Sequence, residues 1–160
     1  MAVIDLTRVE AKTSSIYPAP YDSWMEGRRT LLLGRAGGLT QFGVNVTILR
    51  PGARSSLRHW HLNEDEFVMV LDGELTLVMD SGEHVMRAGD CAAFPAGVAD
   101  GHTFVNRSAA EGRFLVVGSK AGQEVCTYTD VDLKVEIAGG TARFTRRDGS
   151  PYSPQEEAGR

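Results

Sequence analysis

The stretch RHWHLNEDEF, Arg58 to Phe67, sets two of the chain's four histidines one residue apart and follows them with three carboxylates. Successive side chains of an extended strand point to opposite faces, so His59 and His61 project together and Trp60 projects away. Two imidazoles on one face can grip one ion. After the short polar turn LNED the alternation resumes, with Glu66, Val68 and Val70 sharing a face. The turn is short enough to bring Glu66 beside the histidine pair and add a carboxylate oxygen to two nitrogens.

Working outward, the same period of two recurs. Upstream, TQFGVNVTILRPG puts Phe42, Val44, Val46 and Ile48 on one face before turning at Pro51-Gly52, and SSLRHWH resumes as a strand. Downstream, EFVMVL closes at Asp72-Gly73 and ELTLVMD closes at DSGE, which reads as a series of hairpins. HVMR, CAAFPAG, HTFVNRS and RFLVVGS continue the pattern, and 18 glycines punctuate it. Helical periodicity is nearly absent. Short strands with regular turn signals predict an all-β chain closed into a sandwich or barrel.

At 160 residues the chain suits one domain, large enough to bury roughly 70% of the surface its unfolded form exposes. The expected organisation is an N-terminal arm and first strand over 1–39, a barrel over 40–136 and a C-terminal extension over 137–160. The arm SSIYPAPYDSW is too proline-rich for a helix and too aromatic for a free linker, so it packs on the barrel or on a second subunit. The tail, roughly TRRDGSPYSPQEEAGR, is expected to be mobile at its end.

Seventeen basic against 21 acidic residues leave a formal charge of −4 with no long basic run, so nucleic acid gains no electrostatic support as a partner. No stretch reaches the ~20 apolar residues of a membrane span. Two cysteines are too few for a disulfide framework, and the start MAVIDLTRVE lacks a secretory pattern, so a cytoplasmic setting is expected. Cys91 reads as a small buried apolar residue.

A third nitrogen must come from His84 or His102. His84 sits just past the DSGE turn, whereas His102 heads the strand HTFVN after a loop, as a ligand at a barrel mouth would. His102 is assigned to the site and His84 to solvent. Trp60 packs outside against the arm or a partner, Phe94 and Phe104 are core, with Phe104 on the face of His102, and Arg50, Arg54 and Arg58 form a solvated surface. The loop AGVADG, with Gly97 and Gly101 near its ends, is either a lid hinged on those glycines or an ordinary turn.

These residues carry a resemblance. Gly52, His59, His61, Glu66 and Gly73 resemble the first motif of the cupin superfamily, and Gly89, Pro95, Gly97, His102 and Asn106 its second. Six residues separate Gly52 from His59 where the family usually has five, and four separate Gly97 from His102 where it usually has two. The whole chain, through YPAPY, GLTQFGVN and FTRRDGSPY, is similar to small single-domain bacterial cupins, some labelled by analogy as sugar-phosphate isomerases. The resemblance implies a double-stranded β-helix, the jelly-roll barrel, around one metal.

Parity and the family spacing together favour Glu66 over Glu64 and Asp65, which become solvated turn residues. The ligand set is then His59, His61, Glu66 and His102. Three imidazoles and a carboxylate suit one divalent transition metal, Fe, Mn, Ni, Co or Zn, and leave two octahedral positions for a small-molecule ligand or substrate. Metal-dependent isomerisation of a sugar or sugar phosphate, ring-opening oxygenation at Fe(II), or metabolite binding without turnover all remain open, and no catalytic residue is assigned. The aromatic arm and the outward Trp60 predict a homodimer.

Overall fold

The computed structural model describes residues 3–153. Two short strands, β1 (Ala11–Lys12) and β2 (Arg28–Leu31), and one helical turn, α1 (Leu33–Ala36), precede the main run. That run comprises β3 (Phe42–Leu49), β4 (His59–His61), β5 (Glu66–Asp72), β6 (Glu74–Met79), β7 (Gly82–Arg87), β8 (Cys91–Phe94), β9 (His102–Val105) and β10 (Gly112–Ser119). It continues through β11 (Gln123–Tyr128), β12 (Lys134–Ala138) and β13 (Thr141–Thr145), so β12 spans position 136 and the sheet extends beyond it. The strands form a six-stranded sheet, β1-β2-β3-β10-β5-β8, and a seven-stranded sheet, β13-β12-β11-β4-β9-β6-β7, each antiparallel throughout. Two such sheets face to face make the expected all-β jelly-roll barrel.

Strand parity is as expected, but its sense is not always. In β5, Val68 and Val70 are buried while Phe67 and Leu71 lie 41% and 45% exposed. In β3 the inward side chains are Thr47 and Leu49, and Phe42, Val44, Val46 and Ile48 turn to the outer face, with Phe42 41% exposed. The register pairs Val44 with Val117 and Val46 with Leu115, so one apolar strip runs along the outside of the six-stranded sheet.

Asp72-Gly73 does not close a hairpin. β5 and β6 lie in different sheets, and the dipeptide carries the chain across the barrel edge. Gly73 has φ 78°, and a Cβ there would meet Glu111 O at 2.8 Å and Gly112 Cα at 2.9 Å. Glycine is required both for the left-handed backbone and for the close approach of β10. The β6–β7 connection, with Met79 opposite Gly82, is the true hairpin.

Two cores hold the barrel. One gathers Leu49, Val68, Val70, Leu75, Phe104 and Phe114 between the sheets, each full burial of such a side chain being worth about 1.5–3 kcal/mol. The other sits on the inner face of β11 and β12, where Cys126, Tyr128, Leu133 and Val135 are covered by Tyr21 and Met25 of the arm, with Tyr17 packed against them. Tyr17 meets Tyr128 edge-on at 5.4 Å, and the Tyr152 hydroxyl donates to Ala19 O at 2.7 Å. The arm therefore packs on its own barrel. The expected mobile end of the tail, 154–160, lies outside the described residues.

Candidate metal centre

Four strands from both sheets meet at one end of the barrel. β4 lies between β11 and β9, which sets Tyr128 and His102 on either side of His59 and Cys126 beside His61. β5 brings Glu66 in from the opposite sheet, and His102 Nε2 lies 2.8 Å from Glu66 Oε2. His59 Nε2 lies 3.2 Å from His61 Nε2. The structure thus brings His59, His61, Glu66 and His102 together, His59 joining the His102–Glu66 pair on one side to His61 on the other. His84 is exposed, as expected.

The ring nitrogens away from this centre explain how it is organised. His59 Nδ1 lies 2.8 Å from Leu57 O, a partner that can only accept, so the proton sits on Nδ1 and the Nε2 lone pair faces inward. Burial, reinforced by the neighbouring His102 and His61, pushes His59 down to about 3, which keeps its imidazole neutral. His61 Nδ1 lies 3.6 Å from Glu124 Oε1, beyond hydrogen-bond distance. His59 Nε2 is then the acceptor in its 3.2 Å contact with His61 Nε2, and both nitrogens are turned toward the centre. Burial disfavours the charged carboxylate of Glu66, yet the His102 hydrogen bond, with the electrostatic influence of the surrounding imidazoles, leaves it below the usual carboxylate range. Neutral imidazole nitrogens with an ionised carboxylate are the donor set that a divalent transition metal takes, so the residues fit the ion.

Glu124 was invisible in the sequence-based ligand search. It is 2% exposed, and its Oε1 and Oε2 accept from Leu62 N at 2.8 Å and Asn63 N at 2.9 Å. It thereby anchors the chain as it leaves His61. The available signal was parity, since Glu124 is in phase with Cys126 and Tyr128 on β11.

Glu64 and Asp65 lie in the turn as expected, Asp65 exposed and Glu64 half-buried, and they also tie together the loops at the mouth: Glu64 Oε1 accepts from Ala121 N at 2.9 Å and Asp65 Oδ1 from Ala96 N at 2.8 Å. Several expectations need correction. Phe94 is not core. It pairs with Glu66 across β5 and β8 and stacks on His102 at 3.7 Å and 8°, walling the site. Cys91 is exposed, because β8 is the sheet's edge strand and Cys91 falls on its outer side opposite Met69. Arg58 is held between Asp80 and Asp130, and Arg54 lies over Trp24, 5.4 Å from its ring centroid. Trp60 stands half-buried on the face of β4 away from the site, opposite Thr127.

The loop before His102 is pinned. Gly97 N donates to His61 O at 2.8 Å, Asp100 Oδ1 accepts from Asp80 N at 2.8 Å, and Asp80 Oδ2 accepts from Gly101 N at 2.8 Å. Gly97 has φ 78°, but Gly101 has no positive φ; it is glycine because a Cβ would lie 2.6 Å from Thr129 Cγ2 and Oγ1. The hinge reading of Gly101 therefore fails.

Below the ligands lies a cavity of about 110 Å³, walled by Val68, Phe104, Phe114 and Val116 and edged by the side chains of Thr47, Ser55 and Ser56. A wider groove of about 610 Å³ opens at the same end along Glu66, Phe94, Pro95 and Phe42, but it also runs along Phe67, Ala93 and Val117. Those three have the opposite parity to Glu66 and Phe94, which makes much of this groove external. The smaller cavity is the one in contact with His59, Glu66 and His102.

Comparison with known proteins agrees with the fold. Residues 45–118 match the family model described as cupin domain. A structure from Silicibacter pomeroyi, described as a sugar phosphate isomerase from a cupin superfamily, is 51% identical and superposes with a TM-score of 0.93 over 96% of this chain and 98% of its own. Protein SchB of Streptomyces halstedii is 33% identical over 111 residues, 69% of this chain and 78% of SchB. The polyketide cyclase RemF of Streptomyces resistomycificus, at 24% identity and a TM-score of 0.62 over 74% of this chain and 79% of its own, shares the fold.

Proposed function

The chain belongs to the cupin family, and from that premise we propose that it is a metal-dependent enzyme that isomerises a small carbonyl compound of the sugar or sugar-phosphate class. The observation that carries the reading is the convergence of His59 Nε2 and His61 Nε2, 3.2 Å apart, beside the Glu66–His102 pair. His59, His61, Glu66 and His102 would hold one divalent ion of the Fe, Mn, Ni, Co or Zn group, which supplies Lewis acidity towards a substrate carbonyl. The chain does the rest. Leu57 O holds the His59 imidazole in the ligating orientation, Glu124 anchors the backbone that leaves His61, Phe94 shields His102 from water, and Ser55 and Ser56 offer hydroxyls at the cavity edge. The likeness to the Silicibacter pomeroyi protein supports the isomerase class.

A second reading, a module that holds a metabolite without turnover, is favoured by one feature. Among the described residues Glu66 is the single carboxylate lining the inner cavity, and it is paired with His102, which leaves no separate carboxylate base there for proton transfer. The same test separates the two. Protein freed of metal and reloaded with each ion would be assayed against aldose–ketose pairs and their phosphates, with His61→Ala as control. Metal-dependent interconversion supports the enzyme, and saturable binding without interconversion supports the module.

Two further parts of the proposal concern setting. We place the protein in the cytoplasm, in keeping with two unpaired cysteines; among the described residues no helix is long and apolar enough to cross a membrane. We also propose a homodimer. Because the arm is used within its own chain, the dimer surface is the outer apolar strip of the six-stranded sheet around Phe42, Phe67 and Leu71, not the arm and Trp60.

A further inference from the structure

Four donors were assigned to the centre, but a fifth lies within reach. Cys126 sits directly opposite His61 in the β4–β11 ladder, so both side chains emerge on the inner face. It is 5% exposed, packed with Leu57, Leu133 and Val135 and hydrogen-bonded to Tyr128, and burial holds its thiol protonated until an ion displaces the proton. One ligand atom from each of His59, His61 and Cys126 can be chosen so that all lie within 4.8 Å of one another. The donors of His59, Glu66 and His102 satisfy the same limit separately. The centre therefore contains two overlapping triads that share His59, one with two nitrogens and an oxygen, the other with two nitrogens and a sulfur.

We propose that the second triad is a distinct seat for thiophilic divalent ions such as Cd(II) and Zn(II), with Cys126 as its sulfur ligand. Three features support it. Soft thiolate selects Zn and Cd, whereas carboxylate suits harder ions such as Mn(II), so the two triads differ in the ions they favour. Bonds of about 2.0–2.3 Å place ligand atoms of a tetrahedral ion roughly 3.5 Å apart, a contraction that side-chain rotation can supply from 4.8 Å. An ion in this seat also leaves Glu66 and His102 bonded to each other at 2.8 Å, so no buried charge loses its partner. On binding, the Cys126 S–H bond breaks, a metal–sulfur bond forms and the proton passes to solvent, with no change of oxidation state. The fourth position is open to water. Because His59 serves both triads, a thiophilic ion excludes the harder ion from the four-ligand site and acts as an inhibitor of it.

This inference rests on His59 being a ligand, and the experiment keeps the two claims apart. The full chain carrying Cys91→Ser, which removes the exposed thiol, would be stripped of metal by a chelator and titrated with Cd(II) and, separately, Mn(II). A thiolate-to-cadmium charge-transfer band that saturates at one ion per chain is expected with Cd(II). Adding Cys126→Ser should abolish the band and weaken Cd(II) at least about tenfold more than Mn(II). X-ray absorption on the Cd-loaded Cys91→Ser protein, which needs no change at Cys126, should find one sulfur neighbour. Bound Cd(II) with no sulfur neighbour, or equal losses for both ions on Cys126→Ser, would overturn the thiolate seat. Cd(II) failing to bind where Mn(II) binds would likewise overturn the seat, and failure of both ions would instead overturn His59 as a ligand.

Discussion

Glu124 Oε1 lies 3.6 Å from His61 Nδ1 while the same carboxylate caps the amides of Leu62 and Asn63. One buried side chain thus sets the path of the backbone leaving β4 and places a carboxylate beside the His61 ring. Such outer partners of a ligand imidazole fix ring orientation and raise basicity, and losing one weakens metal binding by about 10- to 100-fold. Glu124→Gln keeps the shape and part of the amide capping but removes the charge. We expect metal affinity, measured by chelator competition, to fall within that range while the melting temperature moves little. Glu124→Ala, which strands two amides at about 1–3 kcal/mol each, should also lower stability. Unchanged affinity in both variants would remove Glu124 from the site.

His61→Ala removes one of four donors and should strip most of the metal from protein that otherwise carries about one ion per chain. Elemental analysis of wild type and variant purified side by side decides the matter. Equal content would mean that His59, Glu66 and His102 suffice.

The arm should reveal itself at alkaline pH. Burial pushes the Tyr17 phenol up from 10.0 to about 12. Between those values the unfolded chain has lost a proton that the folded chain retains, so the stabilisation is complete below pH 10 and declines as pH rises through the window. Denaturant midpoints measured across it should fall more steeply for wild type than for Tyr17→Phe. Parallel pH profiles would show that the phenol ionises without lifting the arm.

Gly101 offers a test of close approach against flexibility. Gly101→Ala places a methyl 2.6 Å from Thr129 and should cost about 1–3 kcal/mol, visible as a lowered melting temperature. Thr129→Ala in the same chain removes both offending atoms and should restore much of the loss. If the double variant is no more stable than Gly101→Ala alone, the contact is not the cause.

The outer sheet strip predicts the effect of a charge. Leu71→Arg, on a residue 45% exposed, should leave the fold intact and shift a dimer towards monomer in sedimentation at micromolar concentration. Wild type sedimenting as a monomer would end the dimer proposal.

What the sequence determined by itself was local. Alternation placed His59 with His61 and Glu66 with Val68 and Val70, because the period of a strand is a property of the backbone alone. Two motifs in the right order then pointed to the barrel and to four candidate ligands. The tertiary structure decided what alternation leaves free. It turned the Phe42 face outward, since a strand's two faces are related by a one-residue change of register and only the packed partner selects between them. It sent the chain across the barrel at Gly73 where a hairpin was expected, because the close approach of Glu111 and Gly112 comes from a strand far along the sequence. Glu124 reaches Leu62 across 62 residues of chain, and Cys126 stands beside His61 by the same β4–β11 register. Those meetings depend on closing thirteen strands into two sheets at once, and no window of local sequence contains that closure.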